Sequence, residues 1–166
     1  MSKKFKSKID VQSESFLKNR AEMLKKIKEM RNLEKRSFNA SESKRQKFED
    51  RNQLTPRERL NALIDPDSEF VELYNMAGFL VEDNNPETSI PGASVIAGIG
   101  FIKGVRCMIM VDDSGINAGA ATSTTVDKCV GCLEISLEKK LPFVHLVESA
   151  GINLMNYKVE IWARAG

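Results

Sequence analysis

Two apolar runs decide the fold: Val105-Arg106-Cys107-Met108-Ile109-Met110-Val111 and Phe143-Val144-His145-Leu146-Val147. Between them Val126, Val130, Leu133, Leu137 and Leu141 recur at spacings of 4, 3, 4 and 4, the pattern of one helix face. The spacing predicts a helix over residues 124–140. Thr124 and Asp127 are its expected capping pair, Lys139 and Lys140 sit where the helix dipole favours cations, and Pro142 stops it. A strand, a covering helix and a second strand make a βαβ unit, so the two apolar runs should be parallel neighbours. The class is α/β.

Upstream, residues 93–102 are apolar and β-prone, and Lys103-Gly104 reads as the tight turn of a hairpin that ends in the 105–111 strand. Gly98, Gly100 and Gly104 precede a strand rather than joining a strand to a helix. They are therefore expected to be packing or bulge glycines, not a dinucleotide fingerprint. Thr55-Pro56-Arg57-Glu58 has the N-cap, first-turn proline and third-position glutamate of a capping box, with Leu60, Leu63 and Ile64 on the buried face. Residues 70–74 read as a short strand and residues 82–92 as a polar loop. Downstream, residues 112–115 close the strand and residues 116–123 form a loop of small side chains. The turn Glu148-Ser149-Ala150-Gly151 leads to a final helix from about Asn153, which reaches Gly166 with no further strand.

The chain has 166 residues, 42% hydrophobic and 29% charged, which suits one ordinary domain plus an extension. No apolar run reaches the ~18–20 residues of a membrane helix, and the N-terminus lacks a secretory h-region. Three cysteines exclude a disulfide framework and fit a reducing compartment, so the expected location is cytoplasmic, with no membrane partner. Residues 1–50 hold 15 Lys/Arg against 8 Asp/Glu, without proline or glycine, whereas residues 51–166 hold 10 against 15. The expected organisation is a basic helical arm over residues 1–50 and a mildly acidic body over residues 51–166. Interleaved acids and the lack of an aromatic platform argue against nucleic acid as the arm's partner.

Little of this carries side-chain chemistry. Cys129 and Cys132 form a CxxC that falls in mid-helix, not at the helix N-terminus a redox pair needs, and no four-ligand metal set can be assembled. His145 reads as a satisfied core histidine, and Ser114 and Ser149 lie in no nucleophile motif. The turn at 148–153 is the best candidate. It follows a parallel strand, where ligands gather in α/β sheets, and its small residues can aim successive N–H groups at an anionic oxygen.

Together, Arg51 with residues 54–60, Leu63-Ile64-Asp65-Pro66-Asp67-Ser68-Glu69-Phe70, Ile96-Ala97-Gly98-Ile99-Gly100, Gly104-Val105-Arg106, Thr125-Val126-Asp127-Lys128, Glu138-Lys139-Lys140-Leu141-Pro142 and Leu146-Val147-Glu148-Ser149-Ala150-Gly151 resemble the carboxyltransferase β subunit of biotin-dependent acyl-CoA carboxylases, over roughly residues 45–166. The resemblance implies a partial crotonase-like domain of ββα units, truncated at its C-terminus. It also implies transfer of a carboxyl group from carboxybiotin to the α-carbon of an acyl-CoA through a thioester enolate held by backbone N–H groups. Biotin would be carried on a partner domain or subunit, with no metal in this chain. The implied partners are acyl-CoA, a biotin carboxylase or carrier subunit, and further copies in a homo-oligomer. Carried over residue by residue, the oxyanion donors are the N–H groups of Ala150 and Gly151. The acyl-CoA contacts are Arg51, Asn117, Ala118, Gly119, Ala120 and Ser149. Ala150 replaces a family glycine, and Asn52-Gln53 replace a family Gly-Lys. The alternatives are a biotin-dependent acyl-CoA decarboxylase subunit and a non-catalytic assembly module. The 166 residues alone are expected to be inactive.

Overall fold

A computed structural model describes residues 7–152 and Val159. The helix expected from about Asn153 lies outside the described residues. The elements are α1 (Glu14–Glu42), α2 (Arg45–Glu49), α3 (Pro56–Leu63), β1 (Val71–Glu72), β2 (Val95–Ile102), β3 (Val105–Asp112), a 3₁₀ turn (Asn117–Gly119), α4 (Ser123–Lys139) and β4 (Phe143–Leu146). Two compact units divide at Asn32 and Leu33, inside α1. In the first unit Ser13 Oγ accepts the Phe16 N–H at 3.3 Å and starts the helix, and Leu17, Met23, Leu24 and Ile27 are exposed. The C-terminal turns of α1 and the whole of α2 belong to the second unit, so that residues 33–50 group with the body.

The second unit is built on a four-stranded sheet in the order β1-β2-β3-β4. β2 and β3 form the expected antiparallel hairpin, and β3 pairs parallel with β4, Ile109 facing Val144 and Val111 facing Leu146. Lys103 and Gly104 turn the hairpin with φ of 50° and 76°, the left-handed pair that a two-residue turn matching the strand twist requires. The Asp65 carboxylate fixes this turn by accepting both N–H groups, at 2.6 and 2.7 Å.

Alternation along β3 feeds two core layers. Cys107, Ile109 and Val111 pack with Leu60 on the α3 side; Met108 and Met110 pack with Cys132 on the α4 side. Met108, Ile109 and Val111 are fully buried, each contributing about 1.5–3 kcal/mol of transfer free energy. The strand is apolar throughout because both faces are covered. Gly98 is a packing glycine: a Cβ there would lie 2.6 Å from Phe70 Cζ and would overlap Val71 O. That space lets β1 approach.

The Thr55–Glu58 capping box of α3 is present, with Thr55 Oγ1 accepting the Glu58 N–H and Glu58 Oε2 accepting the Thr55 N–H. Three local expectations are corrected. The cap of α4 is Thr122 with Thr125, not Thr124 with Asp127; Thr122 is extended, and the two hydroxyls exchange bonds with each other's N–H at 3.1 and 3.4 Å. Thr124 instead donates to Glu82 Oε1 at 2.7 Å. The strand expected over 70–74 shrinks to two residues because Tyr74 turns left-handed (φ 56°). α4 runs Ser123–Lys139 against the expected 124–140, and left-handed Lys140 caps it two residues before Pro142.

Candidate functional site

The C-terminal ends of β3 and β4 lie side by side, and the loops that leave them are tied together. Asn117, Ala118 and Gly119 are all left-handed (φ 49°, 53° and 68°), a path that small residues tolerate. This path brings Ala118 O to the Ala150 N–H (3.0 Å) and Gly119 O to the Ser149 hydroxyl (2.6 Å). Gly119 touches so closely that a Cβ there would overlap Glu148 O. The Ala121 N–H also donates to Gly151 O at 2.8 Å.

Against this seam α2 and its flanks bring a basic wall. Lys44, Lys47, Phe48, Arg51, Ser114, Gly115, Ala118, Glu148, Ser149 and Ala150 line a cleft of about 310 Å³. Lys44, Lys47 and Arg51 stand three and four residues apart, a one-face helical spacing. That spacing was the available signal for Lys44 and Lys47, which the sequence reading left within an undifferentiated basic arm. Phe48 is buried and anchors α2, leaving the cations outward.

Beneath the turn lies a polar network. Asp112 Oδ1 is 2.8 Å from His145 Nε2, and Asp112 Oδ2 accepts the Glu148 N–H at 3.1 Å. Arg59 Nη2 donates to Asp112 O at 2.9 Å and lies 2.9 Å from Glu148 Oε2, while Ser114 donates to Glu148 Oε1 at 2.8 Å. His145 is therefore a satisfied histidine, and both serines are hydrogen-bond ties. Next in the chain, Asp113 accepts Ser41 Oγ and the Gly115 N–H; burial pushes its carboxyl above the ordinary aspartate range. Burial raises all three thiols, leaving Cys107, Cys129 and Cys132 without thiolate character. Among the described residues no cluster of three or more potential metal ligands occurs. No helix among them is long and apolar enough to cross a membrane.

Of the residues singled out in the sequence, the cleft unites Arg51, Ala118, Ser149 and Ala150. Gly119 is part of the seam and, like Ala120, does not line the cleft, and Asn117 lines a separate cavity of about 220 Å³. The two expected oxyanion donors are not open as a pair. The Ala150 N–H is held by Ala118 O and the Gly151 N–H by Ser149 Oγ at 3.0 Å, because the turn is zipped onto the small-residue loop. Alanine fits position 150 without strain: Ala150 is not among the left-handed residues, whereas Gly151 is, at φ 96°. Sequence reasoning missed Lys44, Lys47 and Ser114 as cleft residues, and took Glu148 only as part of the candidate turn, not as a side chain of the cleft.

Comparison with known proteins places this arrangement. The chain is 40% identical over 116 residues to the probable biotin-dependent acyl-coenzyme A carboxylase beta2 subunit of Mycobacterium tuberculosis, covering 70% of this chain and 21% of that protein. It is 35% identical over 147 residues to the mitochondrial methylcrotonoyl-CoA carboxylase beta chain of Dictyostelium discoideum, covering 88% and 24%. The crystal structure of the P. aeruginosa geranyl-CoA carboxylase beta subunit superposes with a TM-score of 0.85 at 40% identity, over 96% of this chain and 29% of that one. The chain thus spans about a quarter of the length of these relatives, and its α/β sheet is a partial crotonase-like carboxyltransferase fold. With residues 47–164 matching the carboxyl transferase domain model, this chain belongs to the carboxyl transferase domain family.

Proposed function

We propose that this chain supplies the CoA-facing part of a carboxyltransferase that moves a carboxyl group from carboxybiotin to the α-carbon of an acyl-CoA. The observation that carries the reading is the cleft in which Lys44, Lys47 and Arg51 face the 148–150 turn. The three cations receive the phosphates of CoA, and the small walls at Gly115, Ala118 and Ala150 leave room for a slender pantetheine arm. The acyl thioester then reaches the turn. Biotin, brought on a carrier partner as the second substrate, supplies the carboxyl group and accepts the α-proton.

The enolate oxygen falls to the Gly151 N–H. Its present acceptor, the Ser149 hydroxyl, yields to the oxyanion, which is a stronger acceptor than a hydroxyl, while that hydroxyl goes on donating to Gly119 O. The Ala150 N–H keeps its bond to Ala118 O and holds the turn in place. The chemistry needs no side-chain nucleophile; a preorganised donor of this kind is worth about 3–4 kcal/mol of transition-state stabilisation.

The test is carboxyl transfer from carboxybiotin to a panel of propionyl-, methylcrotonoyl- and geranyl-CoA by the carboxylase assembled with its biotin partners. Transfer to at least one, competed by free CoA, supports the reading. Retention on CoA resin without transfer would turn it toward binding alone, and neither would overturn it. The 166-residue chain by itself is expected to show no transfer.

A further inference from the structure

Glu148 is the one acidic side chain among the described residues lining a cleft otherwise faced by Lys44, Lys47 and Arg51. An unscreened carboxylate there opposes an anionic ligand. Yet both of its oxygens are occupied: Oε2 lies 2.9 Å from Arg59 Nη2, and Oε1 accepts the Ser114 hydroxyl at 2.8 Å. The same Arg59 nitrogen donates to Asp112 O at 2.9 Å, so one guanidinium joins the end of β3 to the turn that follows β4. Arg59 Nε is buried with no hydrogen-bond partner among the described residues.

We propose that Arg59 is a positioning residue that neutralises Glu148 and holds its carboxylate against Ser114 in the cleft wall, so that an anionic acyl-CoA meets a wall of net positive charge. The inference rests on the acyl-CoA reading above. Arg59 touches no substrate; it acts through Glu148. The Asp112 carboxylate, itself paired with His145, holds the Glu148 backbone, so loss of Arg59 leaves Glu148 anchored by its main chain and by Ser114, with its charge unneutralised in the cleft wall.

The experiment measures KM and kcat for acyl-CoA in the assembled carboxylase. The parent enzyme must show a measurable KM; if it does not, the acyl-CoA reading has failed and this inference falls with it. Given that KM, Arg59→Gln is expected to raise it about tenfold with kcat within threefold, and Arg59→Gln/Glu148→Gln to return KM to within threefold of the parent. A merely structural role would lower the melting temperature in both variants and give no rescue by Glu148→Gln. Should Arg59→Gln fail to assemble, Arg59→Lys replaces it; a single ammonium meets Glu148 less well, so KM rises two- to fourfold and Glu148→Gln again cancels the rise. Equal KM in single and double variants, or an effect confined to kcat, overturns the proposal.

Discussion

The Ser41 hydroxyl donates a 2.7 Å hydrogen bond to Asp113 Oδ1 across 72 residues of sequence, and both side chains are buried. It joins the last turn of α1 to the loop that leaves β3, where a Cβ on Gly115 would lie 2.7 Å from Ser41 Oγ. One wall of the cleft therefore depends on this seam.

Ser41→Ala is expected to destabilise the second unit by about 1–3 kcal/mol, because a buried acceptor loses its donor. The pH dependence has a definite sign. Burial raises the Asp113 carboxyl above 3.8, so the folded state holds that proton more tightly than the unfolded chain. The stability this group contributes is complete below about 3.8 and is lost as pH rises through its raised value. Asp113→Asn should remove that slope in urea titrations run from pH 3.5 to 7. An unchanged slope would show that Asp113 ionises normally.

Lys128 gives the opposite slope. Its ammonium is buried between Gly92 O (3.1 Å) and Val95 O (2.5 Å), pinning a segment in which Ala93 and Ser94 are both left-handed. Burial depresses its pKa to about 8 from 10.5. The folded state disfavours the charged form, so the penalty is fully present below about 8 and fades as pH rises to 10.5. The parent should gain stability over that interval relative to Lys128→Met, which lacks the group. At pH 7 the variant should lose about 1–3 kcal/mol, since the loop carbonyls keep no donor from α4. Paired chemical denaturation at pH 7 and 9.5 checks both statements.

The parts of this fold that obey local rules were legible from residues alone. The β3–α4–β4 crossover, the Lys103-Gly104 hairpin and the Thr55 capping box each follow from period, turn chemistry or cap spacing. The cap of α4 was misplaced because residues 122–125 are four consecutive hydroxyl residues, and only the backbone path decides which one is extended. The site was half legible. Ala118, Ser149, Ala150 and Arg51 were carried by a family resemblance, and Glu148 lay in the candidate turn, while Lys44, Lys47 and Ser114 join them only through tertiary approach. The donor geometry of the turn could not be read in advance, because the partner of the Ala150 N–H, Ala118 O, and the Gly119 carbonyl that holds the Ser149 hydroxyl both belong to a left-handed segment about 30 positions away.

Gly119 tests the zipped turn. Its φ of 68° and the absence of space for a Cβ against Glu148 O make alanine doubly unfavourable. Gly119→Ala is expected to cost about 1–3 kcal/mol in stability through strain and overpacking. It should also lower kcat tenfold or more in the assembled enzyme, since displacing Glu148 shifts the 149–151 backbone by a few tenths of an ångström or more. Gly104→Ala is the control: also left-handed at 76°, but with open space around it and far from the cleft, it should cost stability without a matching fall in kcat. Parallel thermal melts and turnover measurements on the two variants separate strain from damage to the turn.

The basic wall predicts how affinity responds to charge and salt. Lys44, Lys47 and Arg51 are solvent-facing, so each phosphate contact should contribute about 0.5–1 kcal/mol, not the larger energy of a buried pair. Replacing all three by alanine should then raise KM for acyl-CoA roughly tenfold to a hundredfold. A pantetheine thioester of the same acyl group carries no phosphates, so its KM should be unmoved by the triple substitution, although its starting affinity is lower. Raising salt from 0.05 to 0.5 M shrinks the Debye length from about 14 Å to about 4 Å. The parent should lose affinity for acyl-CoA across that range, whereas the triple variant should lose much less. If the triple variant instead keeps the parent's KM and salt response, the phosphates lie elsewhere and the cleft is not the CoA site.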